Sequence, residues 1–240
     1  MLVKTIFIMK TKLVLLFVLL LSTTMMAQEK APKKNKNVNN ALGVCVMGKT
    51  MQCNGITMSY IATEQAEMSF AFGAVYQREY MLGSSPLGIL TGVNIEYCHP
   101  YNKTDIDGQT IQYSAHDFYG VIPVMLQYHD KLGDRTELQL FTGPSLDISI
   151  LRFGKASMGI MTESTTFLFG SPLKSGENPV WHWLGASWNY GIGFQHNDII
   201  VKISSSLGLF NYFDKDYTAQ YIGYPLRINR PIIGTVLFKL

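Results

Sequence analysis

Residues Leu184–His196 read LGASWNYGIGFQH. Leu184, Ala186, Trp188, Tyr190, Ile192 and Phe194 fall on one parity, and Gly185, Ser187, Asn189, Gly191, Gly193 and Gln195 on the other. Successive side chains of a strand point to opposite faces, so this stretch predicts a strand with one apolar, aromatic face and one small, polar face. The same period of two returns along the chain. Leu138, Leu140, Leu146 and Ile148 oppose Glu137, Gln139, Ser145, Asp147 and Ser149; Ile199, Val201, Ile203, Leu207 and Leu209 oppose Lys202, Ser204, Ser206 and Gly208. Shallower alternation covers residues 70–80, 87–97 and 118–128, and the final run sets Ile232, Val236, Phe238 and Leu240 against Thr235 and Lys239. With a shorter first strand near residues 42–49, the pattern predicts eight strands and no sustained helical period.

The connections alternate as well. Long stretches at 50–68, 99–117, 152–181 and 211–225 interleave with short turns at 82–86, 130–135 and 196–198. Short turns at one end and long loops at the other are the pattern of an up-and-down barrel of the outer-membrane kind. A soluble, lipocalin-like ligand-binding barrel is the alternative, with its apolar face turned inward and a water-facing set rich in Lys and Glu. Here the second face is Gly, Ser, Asn, Gln and Thr with isolated charges such as Glu96, Glu137, Asp147, Lys202 and Lys239. That composition suits the narrow lumen of eight strands, whose interior is filled by side chains. The expected fold is therefore all-β: an eight-stranded, antiparallel, up-and-down transmembrane β-barrel over residues 41–240. Aromatics near strand ends, among them Tyr76, Tyr80, Tyr97, Tyr101, Phe118, Tyr128, Trp181, Trp183, Phe210, Tyr212 and Phe213, fit two interfacial girdles. Pro123 and Pro144 fall inside expected strands, where the missing N–H points to bulges.

Composition agrees. Of 240 residues only 15% are charged, against roughly 25% in an average soluble domain. The net charge is +3, but the first 40 residues hold seven of the 20 basic residues and one of the 17 acidic ones, which leaves the body at −3. A nucleic-acid partner, which needs a basic footprint, is not expected. Lys10 and Lys12, an apolar run over residues 13–21 and a polar stretch to Ala27 read as a secretory signal peptide over residues 1–27, with Met9 as a second possible start. A Lys- and Asn-rich linker over residues 28–40 follows. Export through the Sec pathway to the outer membrane, with both termini periplasmic and lipopolysaccharide as the surrounding partner, is the corresponding location. Cys45, Cys53 and Cys98 are an odd set that allows at most one disulfide, and their spacing matches no metal site.

Phe118 to Ile150, FYGVIPVMLQYHDKLGDRTELQLFTGPSLDISI, resembles the Bacteroidetes outer-membrane β-barrel domain called PorT-like, through the Ile122-Pro123 strand, the short turn and the strand with Gly143-Pro144. NYGIGFQHNDIIVKISSSLGLFN from Asn189 and the closing IIGTVLFKL extend the resemblance over most of residues 41–240. It implies an eight-stranded outer-membrane barrel and no catalytic residues; one relative takes part in type IX secretion.

Chemistry-bearing residues are sparse. The expected function is a non-enzymatic barrel whose long outward loops bind an envelope partner, scaffold an assembly or assist secretion. The enzymatic alternative, a lipid-modifying acyltransferase-like or deacylase-like barrel, would draw on His99, His116, His129, His182 or His196. Ser114, His116 and Asp117 sit close together, but triad members meet through folding rather than adjacency. Gly83-Ser84-Ser85-Pro86 lacks the nucleophile elbow, and no phosphate loop, metal cluster or cofactor motif is present in the sequence. Buried charges need partners, so Glu96, Glu137 or Asp147 is expected to pair with Lys202 or Arg78, locking the interior or gating a narrow ion path, with at least one of the three acids meeting a basic residue inside the barrel. By size, the loop at 152–181 is the leading binding surface.

Overall fold

A computed structural model describes residues 37–53, 56–57, 69–99, 101–106, 109–158, 161–169, 171–172, 182–210 and 226–240. The expected signal peptide, residues 28–36 of the linker and the 211–225 loop lie outside them. Twelve strands follow in order: β1 (Val38–Cys53), β2 (Ile56–Thr57), β3 (Ser69–Met81), β4 (Leu87–Cys98), β5 (Tyr101–Ile106), β6 (Gln109–Lys131), β7 (Thr136–Met158), β8 (Met161–Leu168), β9 (Ser171–Pro172), β10 (Leu184–His196), β11 (Ile199–Gly208) and β12 (Leu226–Lys239). Eight of them, β1, β3, β4, β6, β7, β10, β11 and β12, pair antiparallel with their neighbours in that order. The ring closes where β12 meets β1, from Ala41 opposite Lys239 to Cys53 opposite Leu226. The fold is the eight-stranded, up-and-down barrel that the alternation predicts. Strand β1 starts at Val38, so residues 38–40 belong to the wall and not to the linker.

The connections at one end are tight. Gly83 takes φ 66° in the β3–β4 turn and Asn197 takes φ 54° in the two-residue β10–β11 turn, left-handed conformations that Gly and Asn adopt most readily. At the other end, β6 and β7 are 23 residues each, about 75 Å if fully extended and far beyond the 9–11 residues that cross an apolar layer. Pairing of β4 with β6 stops at Cys98 and Asp117, and pairing of β10 with β7 stops at Leu184 and Ile148. Beyond those points β6 and β7 continue as a ribbon to Ile111 and Met158, flanked by β5 on one side and by β8 and β9 on the other. Much of the two loops expected at 99–117 and 152–181 is therefore sheet.

Pro123 interrupts the β4–β6 ladder opposite Gly92 and Val93 without changing its register. Register shifts lie elsewhere: between Phe118 and Tyr119 against β7, between Gly48 and Thr50 against β12, and between Ser204 and Ser206 on β11. Pro144 faces Trp188 with no shift, so the bulges expected at the two prolines are not where the sheet deviates. A Cβ on Gly92 would lie 2.0 Å from the Tyr76 carbonyl oxygen, which makes glycine obligatory where β3 and β4 approach.

The alternation sorts the faces as expected. Phe70 (75% exposed), Ile203, Phe194, Trp188 and Ile232 point outward, while Gln139, Ser187, Lys202 and Ser206 are buried within the ring. Tyr80 and Tyr128 stand on the outer face towards the tight turns; Phe72, Tyr97 and Phe118 pack with centroids 5.1–5.2 Å apart towards the opposite end. Trp183 and Phe210 are exposed at that same end. The side chains of Tyr101, Trp181, Tyr212 and Phe213 lie outside the described residues. The lumen is less polar than its small residues predict. Cys45, Val75, Ile200 and Leu237 form an apolar cluster in it, and Leu90, Met125 and Phe141 form another. Cys45 and Cys98 are buried free thiols.

Candidate functional site

Inward positions of neighbouring strands meet across a narrow ring, so charges distant in sequence become partners. On the side of the long β6–β7 ribbon, Glu96 of β4 is 2% exposed and lies 2.9 Å from Lys49 Nζ of β1 and 3.1 Å from Arg230 Nε of β12. Arg230 also reaches Asp147 of β7 at 3.5 Å. Asp147 in turn accepts a hydrogen bond from the Ser187 hydroxyl. Farther along β6 and β7, Arg152 donates to both oxygens of Asp117 at 2.6 and 2.5 Å, the fork geometry in which an arginine binds a carboxylate most strongly. Tyr119 adds a hydroxyl to the same pair at 3.2 Å.

Towards the tight turns the chemistry changes. His129 of β6 sits between Glu79 of β3 and Glu137 of β7, hydrogen-bonded to each through a different ring nitrogen. Gln127 Nε2 donates to Glu79 at 2.9 Å. Lys202 Nζ, 2% exposed, is held by the Gln77 and Gln127 amide oxygens at 2.8 and 3.0 Å and stands 4.9 Å from the centroid of the Phe141 ring.

Of the five residues singled out from sequence, Glu96, Asp147, Glu137 and Lys202 are turned into the lumen. The first three meet Arg230, Lys49 and His129, not Lys202 or Arg78. Arg78 is a correction: it is exposed on the outer face, with its guanidinium carbon 5.1 Å from the Tyr80 ring. Its parity with Phe70 and Phe72 puts it there, and the lumenal charge of β3 is Glu79, one residue on. Lys49, Glu79, Arg152 and Arg230 were missed, and Asp117 was noted only for its place beside His116. The first two were visible by counting in twos from Cys45 and Gln77; the others sit where β6, β7 and β12 run past the alternating segments.

Two small cavities adjoin the lumenal charges. One of about 30 Å³ is lined by Asp147, Ser149, His182 and Arg230, and one of about 20 Å³ by Glu79, Gln127, Gln139 and Lys202. Volumes of this size hold one or two waters. The lumen is a packed interior at these levels.

The histidines divide. His196 Nδ1 lies 3.1 Å from the Thr136 hydroxyl, and His182 is exposed beside the larger of the two cavities. His116 is exposed while Asp117 is buried against Arg152, because consecutive residues of β6 take opposite faces. Strand alternation thus separates the two residues that looked adjacent in sequence. His116 Nδ1 is instead 2.6 Å from the Tyr97 hydroxyl.

No family model matches the sequence, and no curated protein matches it by sequence. Among solved structures the chain is similar to Ail, the attachment invasion locus protein of Yersinia pestis, solved in complex with the heparin analogue sucrose octasulfate. That likeness has a TM-score of 0.39 and 9% identity, over 85% of this chain and 98% of that one. Neisserial surface protein A is similar at TM-score 0.39 and 8% identity, over 84% of this chain and 97% of that one.

Proposed function

We propose that this chain is an exported, integral outer-membrane β-barrel of the PorT-like kind. In this reading it is non-enzymatic, its termini are periplasmic, and the β5–β9 ribbon carries an outward surface for an envelope or secretion-accessory partner. The observation that carries the reading is the inversion of the two faces. Large apolar side chains such as Phe70, Ile203 and Phe238 are exposed on the outside, while Glu96, Lys202, Asp117 and Arg152 are buried on the inside. Water would reverse that arrangement, whereas hydrocarbon demands it, together with a closed ladder that leaves no backbone group unpaired. Lipopolysaccharide and phospholipid are then the partners of the outer wall. The filled lumen disfavours a diffusion pore, and a binding role falls to the ribbon, whose outermost strands among the described residues are β5 and β9.

Folding the chain from residue 28 in detergent, and comparing its migration on gels before and after boiling, tests this reading. A β spectrum with heat-modifiable migration is the expected result; a β protein soluble without detergent overturns it. A sharper version uses Ile203→Lys on the exposed middle of β11. In a bilayer the charge costs about 2–4 kcal/mol near the midplane. In a soluble barrel the same change on the surface stays within about 0.5 kcal/mol.

A further inference from the structure

An isolated charge interrupts the apolar outer wall. Arg78 of β3 is exposed on the parity of Phe72 and Tyr80, level with Val124 and between outward residues such as Val44 and Val93. Among the described residues, no other Lys, Arg, Asp or Glu stands on the outer face between the levels of Tyr80 and Phe72. Its neighbours across the sheet are polar as well. The register sets Asn40 of β1 opposite Arg78 on one side and Thr91 of β4 opposite it on the other. The Tyr76 hydroxyl donates to Asn40 Oδ1 at 3.1 Å. Neighbouring strands lie about 4.8 Å apart, so this row is a polar island about 10 Å wide. Leu240 bounds it on the β12 side and Val124 on the β6 side. The guanidinium leans towards the tight turns, with its carbon 5.1 Å from the centroid of the Tyr80 ring, one outward position nearer the β3–β4 turn. Among the described residues no carboxylate pairs with it.

We propose that Arg78 anchors a lipid site on the outer wall, where its guanidinium takes the headgroup phosphate of one anionic phospholipid beside the Asn40 amide and the Thr91 hydroxyl. The site rests on the membrane reading given above. A guanidinium keeps its proton in any protein, so against hydrocarbon it needs an anion. A long basic side chain reaches such an anion by lying along the apolar wall with its head at the headgroup level, and the lean towards Tyr80 is in that direction. Tyrosine is itself a residue of the membrane interface, and contact with its ring steadies the guanidinium without consuming an N–H donor. The planar fork of those donors matches two oxygens of one phosphate. Charge along the chain favours an anionic lipid over a zwitterionic one, because Lys30, Lys33, Lys34 and Lys36 closely precede Val38, the residue that pairs with Tyr80.

The test is native mass spectrometry of the full untagged chain, folded in detergent and titrated with dioleoylphosphatidylglycerol. One lipid per barrel should stay bound as the rest are stripped away, and dioleoylglycerol, with the same chains and no phosphate, should not replace it. Arg78→Gln should weaken binding about tenfold and Arg78→Lys about threefold, since lysine keeps the charge and loses the fork, while Arg135→Gln in the β6–β7 turn should leave it unchanged. Heat-modifiable migration checks the folding of each variant separately. A second measurement on the unaltered protein covers any variant that fails to fold. Phosphatidylglycerol with a photoreactive diazirine in its headgroup should label β1, β3 and β4 around Asn40, Arg78 and Thr91 in preference to β7 and β10 across the barrel. Undiminished binding by Arg78→Gln, an equal loss in Arg135→Gln, displacement of the lipid by inorganic phosphate, or labelling spread evenly around the wall overturns the proposal and leaves the membrane reading standing. A chain soluble without detergent overturns the membrane reading and this site with it.

Discussion

Towards the ribbon end of the lumen, Glu96 meets two cations and Arg230 two carboxylates, whereas towards the tight turns Lys202 meets two amide oxygens and an aromatic ring. Both layers bury charge to a similar degree, yet they resolve the desolvation cost differently. Removing an ion from water costs several kcal/mol, and an opposite charge in good geometry recovers most of that. Neutral amide oxygens recover less per contact, but they leave no orphaned charge behind when the ion is removed. The ribbon-side ion-pair layer should therefore be brittle to single substitutions and the Lys202 site tolerant of them. Leu90, Met125 and Phe141 form a buried apolar cluster beside Lys202.

Arg230→Met is the largest break. It leaves Glu96 with Lys49 and strands Asp147, which among the described residues keeps the Ser187 hydroxyl, and we expect a loss of about 3–5 kcal/mol in urea unfolding of the detergent-folded barrel. Adding Asp147→Asn to that variant should restore at least half of the loss, because Lys49 still pairs with Glu96 and Asp147 carries the charge that was stranded. A double variant less stable than Arg230→Met would show that the layer is not held by its ion pairs.

How much of this was readable in advance follows from where water lies. Along β10 and β11 the two faces meet different surroundings, so residues such as Trp188 and Ser187 alternate and the strands are legible. Where β6 and β7 leave the barrel, that contrast ends. Gly154, Lys155 and Ser157 on β7 face Thr165, Ser164 and Thr162 on β8, a run with no apolar side to mark a period. A register without a buried face leaves little trace in sequence. Thr162, Thr165 and Thr166 did carry the β-branched preference for strands, a signal that composition offered and periodicity did not. In the lumen, the inward acids could be found by parity. Their partners could not, because Arg230 and Glu96 are 134 residues apart and come together only when the ring closes. The misplacement of Arg78 has the opposite cause: the expectation that lumenal acids need a base overrode a parity that already placed it outside.

The apolar cluster gives the next prediction. Phe141→Ala deletes a buried ring that packs on Leu90 and Met125, and we expect a loss of about 3 kcal/mol from the cavity and the lost contact. The same change removes the ring beside Lys202, so water should enter there. Hydrogen exchange at β7 and β10 amides near Phe141 should then quicken more than exchange near Arg230. Equal acceleration along the whole of β7 would mean that the cluster is not a separate layer.

The smallest expected effect lies at Lys202, and it bears most directly on the contrast between the layers. Lys202→Met keeps the length of the chain and its contact with Phe141, and it leaves the Gln77 and Gln127 oxygens without their donor. Those oxygens adjoin a cavity of about 20 Å³, room for one water that can take the place of the ammonium. The substituted barrel should therefore lose only about 1 kcal/mol, a third or less of the cost of Arg230→Met, since no charge is left facing an uncompensated opposite charge within ion-pair distance of the site. Urea midpoints measured side by side for the two variants decide the matter. If Lys202→Met proves as damaging as Arg230→Met, the long-range field of Glu79 and Glu137 holds the ammonium in place, and the two layers obey one electrostatic rule after all.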